Sequence, residues 1–186
     1  MTAPLLLPPG ARTGFLGPLS VPGDFWWVCA DPTPLAGMGY PRAGIWDTLA
    51  ARGFTHVVDL TCDAAKYDAT PLVSHASKLS DLIGRRHPPD PARDETRIRA
   101  AAALVAEQWS AGEGVLVHCH GGRGRTGAVL GSALVLLGHD PVVIVDWLHR
   151  VQRTRGRRGW PEQPWQAEVV LRAGRPELRR PSPRHP

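Results

Sequence analysis

The chain has 186 residues, 42% of them hydrophobic and 21% charged. That is enough for one compact domain with its own core, and it excludes a disordered chain. The net charge of +5 gathers from Arg150 onward, where ten arginines face only Glu162, Glu168 and Glu177. With Lys66 and Lys78 the only lysines, this reads as an arginine-rich composition with a solvated tail, and nucleic acid is not an expected partner.

In chain order, residues 1–22 read as an extended, proline-rich lead-in, and Asp24 to Ala30 (DFWWVCA) as a short strand. Pro32, Pro34, Gly37, Gly39 and Pro41 predict a loop. Ala43 to Arg52 has helical spacing, with Ile45, Trp46, Leu49 and Ala50 on one face and Gly53 as its stop. Thr55 to Leu60 is continuous and β-rich, as in a buried parallel strand. Residues 61–90 read as an irregular loop with one short helix.

Pro91 through Ala111 predicts a long helix, with Pro91 in its first turn, Asp94 and Glu95 at its positive end and Gly112 as its stop. Gly114 to Cys119 is a second buried strand, Gly121 to Gly124 a turn, and Thr126 to Leu137 an apolar helix. Asp140-Pro141 caps a helix to about Arg155, and a last helix spans Gln163 to Ala173. Alternating strands and helices predict a single α/β domain, residues 23–174, with a central, mainly parallel sheet flanked by helices. Residues 175–186 read as a disordered basic tail.

Chemistry concentrates in His118-Cys119-His120-Gly121-Gly122-Arg123-Gly124-Arg125-Thr126-Gly127, between an apolar strand and an apolar helix. A tight turn at a helix N-terminus aims main-chain N–H groups at a common point and makes an anion cradle. Glycines let the backbone curl around a phosphate, and Arg125 supplies a planar fork for two of its oxygens. A cysteine in that positive potential is favoured as the thiolate, a nucleophile at neutral pH. The Thr126 hydroxyl, just past the arginine, is placed to donate to the sulfur as it leaves.

This segment resembles the HCxxGxxR[ST]G signature of the cysteine-based protein phosphatases, within them the small dual-specificity group, and meets every fixed position. The resemblance covers about residues 54–171. It implies a phosphatase-like fold, a covalent cysteinyl-phosphate intermediate, no metal or other cofactor, and a separate general acid. By the resemblance Cys119 is the nucleophile and the amides from His120 through Arg125 (His120, Gly121, Gly122, Arg123, Gly124) bind phosphate. Arg125 clamps it, Thr126 assists the leaving sulfur, and His118 orients the loop and tunes the thiolate. The family places its acid on a loop before the preceding helix. Asp81 matches that place, although the proline usual two or three positions earlier is replaced by Ser77 and Lys78. Asp90 is the runner-up, and Asp90-Pro91 also reads as a helix cap. Gln166 matches a glutamine that positions the hydrolytic water, with Gln163 as alternative.

The implied partner is a phosphorylated protein, with phosphotyrosine first and phosphoserine or phosphothreonine also admitted. His120 and Arg123 keep inositol lipids, inositol phosphates and RNA 5′ ends open as substrates, since Arg123 can meet a second phosphate or pair with a neighbouring loop. A phospho-binding module without catalysis is the reading from another class. A sulfurtransferase uses a similar loop but leaves Thr126 and the upstream aspartate without a role. Cys29, Cys62 and Cys119 are widely spaced and form no CxxC pair, so neither a disulfide framework nor a zinc knuckle is expected. Cys29 and Cys62 read as buried structural thiols. No ligand spacing links His56, His75, His87, His139 and His149. Trp160 and Trp165 are candidates for the pocket mouth. Met1 to Gly10 lacks a basic stretch before Leu5, and no apolar run is long enough to cross a bilayer, so a cytoplasmic, reducing setting is expected.

Overall fold

Continuous apolar runs such as GVLVH, buried on both faces, belong in the middle of a parallel sheet, and that is where the chain puts this one. The computed structural model describes residues 15–16, 19–20, 25–41, 44–61 and 67–174. Strands β1 (Phe15–Leu16) and β2 (Leu19–Ser20) form a small antiparallel pair of their own. The main sheet holds β3 (Trp26–Cys29), β4 (Leu35–Met38), β5 (Phe54–Asp59), β6 (Val73–Ala76) and β7 (Gly114–His118). Its order is β3-β4-β7-β5-β6, with β7 central. β4, β7, β5 and β6 run parallel, and only β3 is antiparallel, on the edge.

The two faces are covered unequally. The short helix α1 (Trp46–Ala50) covers one, closing a cluster that includes Phe25, Met38, Trp46, Leu49, Phe54, Val57 and Leu116. Four helices meet the other: α2 (Pro91–Ser110), α3 (Gly124–Leu136), α4 (Pro141–Thr154) and α5 (Pro164–Arg172). Their shared core takes Val58, Val115, Val117, Ile98, Leu130, Leu134, Ile144 and Val169. α3 is buried along almost its whole length, as its apolar composition requires. Asp90 and Asp140 cap α2 and α4 with their carboxylates, each followed by a first-turn proline. Between α2 and α5, Glu95 takes Arg99 and Arg172 at 2.8 and 2.9 Å. Burial works against the charge on Glu95, yet the two guanidiniums hold its carboxyl below the usual range.

Four expectations need correction. The stretch read as a loop from Pro32 to Pro41 contains β4, fully buried beside β7. Its glycine is a packing requirement: a Cβ on Gly37 would lie 2.5 Å from the Trp26 ring. The stretch from 61 to 90 contains the edge strand β6, and no helix among its described residues. Its sequence, VSHA, is mostly exposed and carries no apolar run to announce a strand. The helix read from Ala43 to Arg52 is shorter, Trp46–Ala50. Cys29 is half-buried rather than a core thiol, its Sγ donating to the Asp31 carbonyl at 3.1 Å. Cys62, most of the lead-in and the basic tail lie outside the described residues.

Gly37→Ala is expected to destabilise the fold by about 1–3 kcal/mol through overpacking against Trp26. Urea unfolding measures it; an unchanged midpoint would show that the indole has room to move.

Candidate active site at the end of the central strand

In an open parallel sheet the carboxyl ends of the strands form the crevice where ligands bind. β7 ends at His118, and the chain turns through residues 119–123 into α3 at Gly124. The helix therefore begins two residues earlier than its sequence signals, and Arg125 sits in its first turn. The turn needs glycine at Gly122, which has φ +61 and would place a Cβ 2.4 Å from the main chain of Met38 and Gly39.

Three carbonyls along this turn find donors outside it. His120 O accepts from the Tyr40 amide at 2.9 Å. Gly122 O accepts from Trp26 Nε1 at 2.9 Å and from Arg155 Nη1 at 3.0 Å. Gly124 O takes a longer contact from Trp160 Nε1 at 3.4 Å. In a trans peptide the C=O of one residue opposes the N–H of the next. Carbonyls held outward at 120, 122 and 124 therefore turn the amides of Gly121, Arg123 and Arg125 the other way, toward a common concave side. Amides gathered in this way can hold an anion.

Strand alternation separates Cys119 from His118. Cys119 continues the face of Val115 and Val117, packs in the α3 core and is 2% exposed. Beside it in sequence, Arg125 and Thr126 are buried in the first turn of α3. The Thr126 hydroxyl has no hydrogen-bond partner among the described residues. Arg125 Nη2 meets Asp81 Oδ2 at 2.5 Å, and its Nη1 lies 3.5 Å from the Leu79 carbonyl. Asp81 is thus brought onto the arginine from the loop before α2, while its Oδ1 accepts from the Ile83 amide at 3.2 Å. Asp90 is not brought in: its Oδ1 accepts from the Arg93 amide at 3.0 Å as the cap of α2.

The opposite face belongs to His118. It is fully buried, hydrogen-bonded to the Tyr67 hydroxyl, 3.6 Å from Asp59 Oδ1, and flanked edge-on by Tyr40. Burial pushes its pKa down to about 4, against the opposing pull of the Asp59 charge and the Cys119 main chain. Burial, then Asp59 and Tyr40, push the Tyr67 hydroxyl up. Tyr67 therefore stays protonated and shares a hydrogen bond with Nε2 of a neutral His118. His118 supports the turn from behind and does not share the pocket of Cys119. His120 is exposed and stacks on Tyr40 with centroids 5.5 Å apart.

On the helical side, Arg123 turns outward: its Nε donates to the Gly159 carbonyl at 2.8 Å and its Nη1 lies 3.5 Å from Glu162 Oε1. Gln166 is buried against Gly124, and its Oε1 accepts from the amides of Glu162 at 2.9 Å and Gln163 at 3.2 Å. Gln163 itself is the N-cap residue of α5. Trp160 and Trp165 are core residues under the turn, not a rim. Sequence reasoning missed Trp26, Tyr40, Asp59, Tyr67, Arg155 and Glu162. None lies in the contiguous segment, and no spacing rule ties them to it. Among the described residues no group of three metal-ligating side chains occurs.

Residues 23–163 match the family model described as PTP-SAK, Swiss Army Knife protein, DSP-PTPase phosphatase domain. A mouse putative dual specificity phosphatase complexed with zinc tungstate is similar at 21% identity, covering 86% of this chain and 92% of that one, with TM-score 0.63. Tk-PTP in its active form is similar at 24% identity over 75% and 90% of the two chains, with TM-score 0.56. PTPMT1 in complex with PI(5)P is similar at 12% identity over 75% and 88%, with TM-score 0.56. At these identities the structures share the fold.

His118 supplies a pH test. Its folded pKa lies near 4 and its unfolded pKa near 6.5, so between these values the unfolded chain binds the extra proton. Stability contributed by the neutral ring is complete above about pH 6.5 and is lost as pH falls toward 4, on the order of 3 kcal/mol. Urea unfolding at pH 7 and 4.5 is expected to show a smaller loss in His118→Asn than in the parent. Equal losses would show that the ring takes up its proton without penalty.

Proposed function

The chain belongs to the DSP-PTPase phosphatase family of Swiss Army Knife proteins, and from that premise we propose that it hydrolyses phosphomonoesters through a cysteinyl-phosphate intermediate on Cys119. The substrate is phosphoprotein, phosphotyrosine foremost, with phosphoserine and phosphothreonine as further substrates. The observation that carries this reading is the outward anchoring of the turn's carbonyls around Cys119 and Arg125, with Asp81 delivered to the arginine by its own loop.

The substrate phosphoryl group occupies the concave side of the turn, its oxygens taken by the amides and by Arg125. Substrate phosphate displaces the Asp81 carboxylate from the guanidinium, and the carboxylate, no longer paired, takes up a proton from solvent beside the leaving group. The Cys119 thiolate attacks phosphorus in line, forming the S–P bond as the P–O bond to the substrate breaks. Asp81, protonated, gives its proton to the departing oxygen. Asp81, now a carboxylate, takes a proton from water as that water attacks phosphorus and the S–P bond breaks. The Thr126 hydroxyl, without a partner among the described residues, donates to the departing sulfur. Inorganic phosphate leaves and the thiolate is restored. Gln166, with its carbonyl oxygen committed to two amides, supports the turn near Gly124 rather than reaching for water.

The reading of inositol phosphates as substrates needs Arg123 to meet a second phosphate. In this structure its guanidinium is engaged by Gly159 and Glu162. Phosphoprotein is therefore the better supported class.

Wild-type protein is expected to turn over an aryl phosphate without added metal and to be inhibited by vanadate, with activity abolished by Cys119→Ser. Asp81→Ala should lower kcat by about 10²-fold or more. Asp90→Ala should lower stability by about 1 kcal/mol with kcat within about twofold. Retained activity in Cys119→Ser would end the proposal; a large kcat loss confined to Asp90→Ala would move the acid to that residue.

A further inference from the structure

The loop that carries Asp81 continues into an exposed basic tip. Leu82 is buried and anchors the loop in the core. A turn then follows, with Gly84 at φ +70 and the Arg85 amide donating back to the Leu82 carbonyl at 3.0 Å. That bond folds Arg85 back to the residue next to Asp81. Arg85, Arg86 and His87 are exposed, and neither guanidinium has a hydrogen bond or ion pair among the described residues. Ile83, 86% exposed, stands at the same tip. Across the cradle, the Gly159 carbonyl is held at 2.8 Å by Arg123 Nε. The residue before it, Arg158, is again exposed and unpartnered among the described residues. Several other arginines are paired: Arg99 and Arg172 with Glu95, Arg150 with Asp146, Arg123 with Glu162, Arg125 with Asp81. Arg85 and Arg86 follow Asp81 on its own loop, and Arg158 precedes the residue that Arg123 holds.

We propose that Arg85 and Arg86, with Arg158 opposite, form a subsite that selects phosphotyrosine segments carrying aspartate or glutamate beside the phosphorylated residue. This deepens the phosphoprotein reading and rests on it. An extended peptide advances about 3.3–3.6 Å per residue. A phosphotyrosine held over Cys119 therefore puts the side chains within about three residues on each side into reach of the two loops. Guanidiniums take carboxylates bidentately, and free ones need no internal pair to be broken first. Exposed pairs are individually weak, so discrimination comes from several acting together and is screened by salt.

The test separates binding from turnover. Two phosphotyrosine peptides are compared, one with glutamate at the three positions on each side and one with glutamine there. Their Kd values are measured by fluorescence anisotropy on Cys119→Ser protein. The acidic peptide is expected to bind at least tenfold more tightly at about 0.05 M salt, with the ratio shrinking several-fold at about 0.5 M. Adding Arg85→Ala, Arg86→Ala and Arg158→Ala should bring the ratio to within about twofold of unity, while Lys at the three positions should retain most of the preference. Equal Kd values in the parent, or an undiminished ratio in the triple alanine protein, would overturn the inference. So would tighter binding of inositol hexakisphosphate or of vesicles containing PI(5)P than of the acidic peptide. Turnover of aryl phosphate by wild-type protein reports separately on the phosphatase reading. A wild type without turnover that still discriminates the peptides sinks that reading and leaves the subsite standing.

Discussion

Everything at this site depends on which way a few peptide planes face. A carbonyl turned inward at Gly122 or His120 would put partial negative charge where an oxyanion must sit. A buried carbonyl without a donor costs about 1–3 kcal/mol, so the outward orientation persists only if the surrounding structure supplies donors. It does: an indole from β3, a main-chain amide from the segment after β4, a guanidinium from the end of α4 and an indole from the α4–α5 connection. The positive potential on the concave side is the other half of that arrangement. It acts together with the N-terminus of α3, whose own first amides point the same way.

The face of the sheet on which a residue falls decides its part in this. Cys119 and His118 are neighbours in sequence and sit on opposite faces of β7. One shares the core of α3, the other a polar pocket with Asp59, Tyr67 and Tyr40. The thiol is thus kept apart from a titrating imidazole, and the imidazole is kept neutral by burial. Asp81 and Arg125 form the corresponding contact on the reactive side. The carboxylate meets the guanidinium and ties its loop to the first turn of α3.

The central strand, the glycine turn and α3 were legible in the sequence because one contiguous run encodes all three, and Cys119, Arg125 and Thr126 came with them. Asp81 was found on family resemblance, and the structure brings it to Arg125 while giving Asp90 to the helix cap. β4 was hidden because LAGM is short, contains glycine and stands among prolines; its burial comes from neighbours that composition does not name. β6 was hidden because an edge strand with exposed side chains has no apolar pattern to read. Trp26, Tyr67 and Arg155 were illegible for a different reason. Their part depends on contacts between residues far apart in sequence, and local pattern says nothing about those.

The pairing of Trp26 with Gly122 spans 96 positions in sequence. Closing so long a loop carries an entropic penalty that nearby contacts do not have. During synthesis β3 emerges early, yet its indole has no carbonyl to meet until the middle of the chain has followed, and Arg155 arrives later still. The signature segment can thus be complete as a string of residues while its peptide groups are still unoriented. Competence to hold an oxyanion is a late property of assembly, reached when both ends of the domain have closed on its centre.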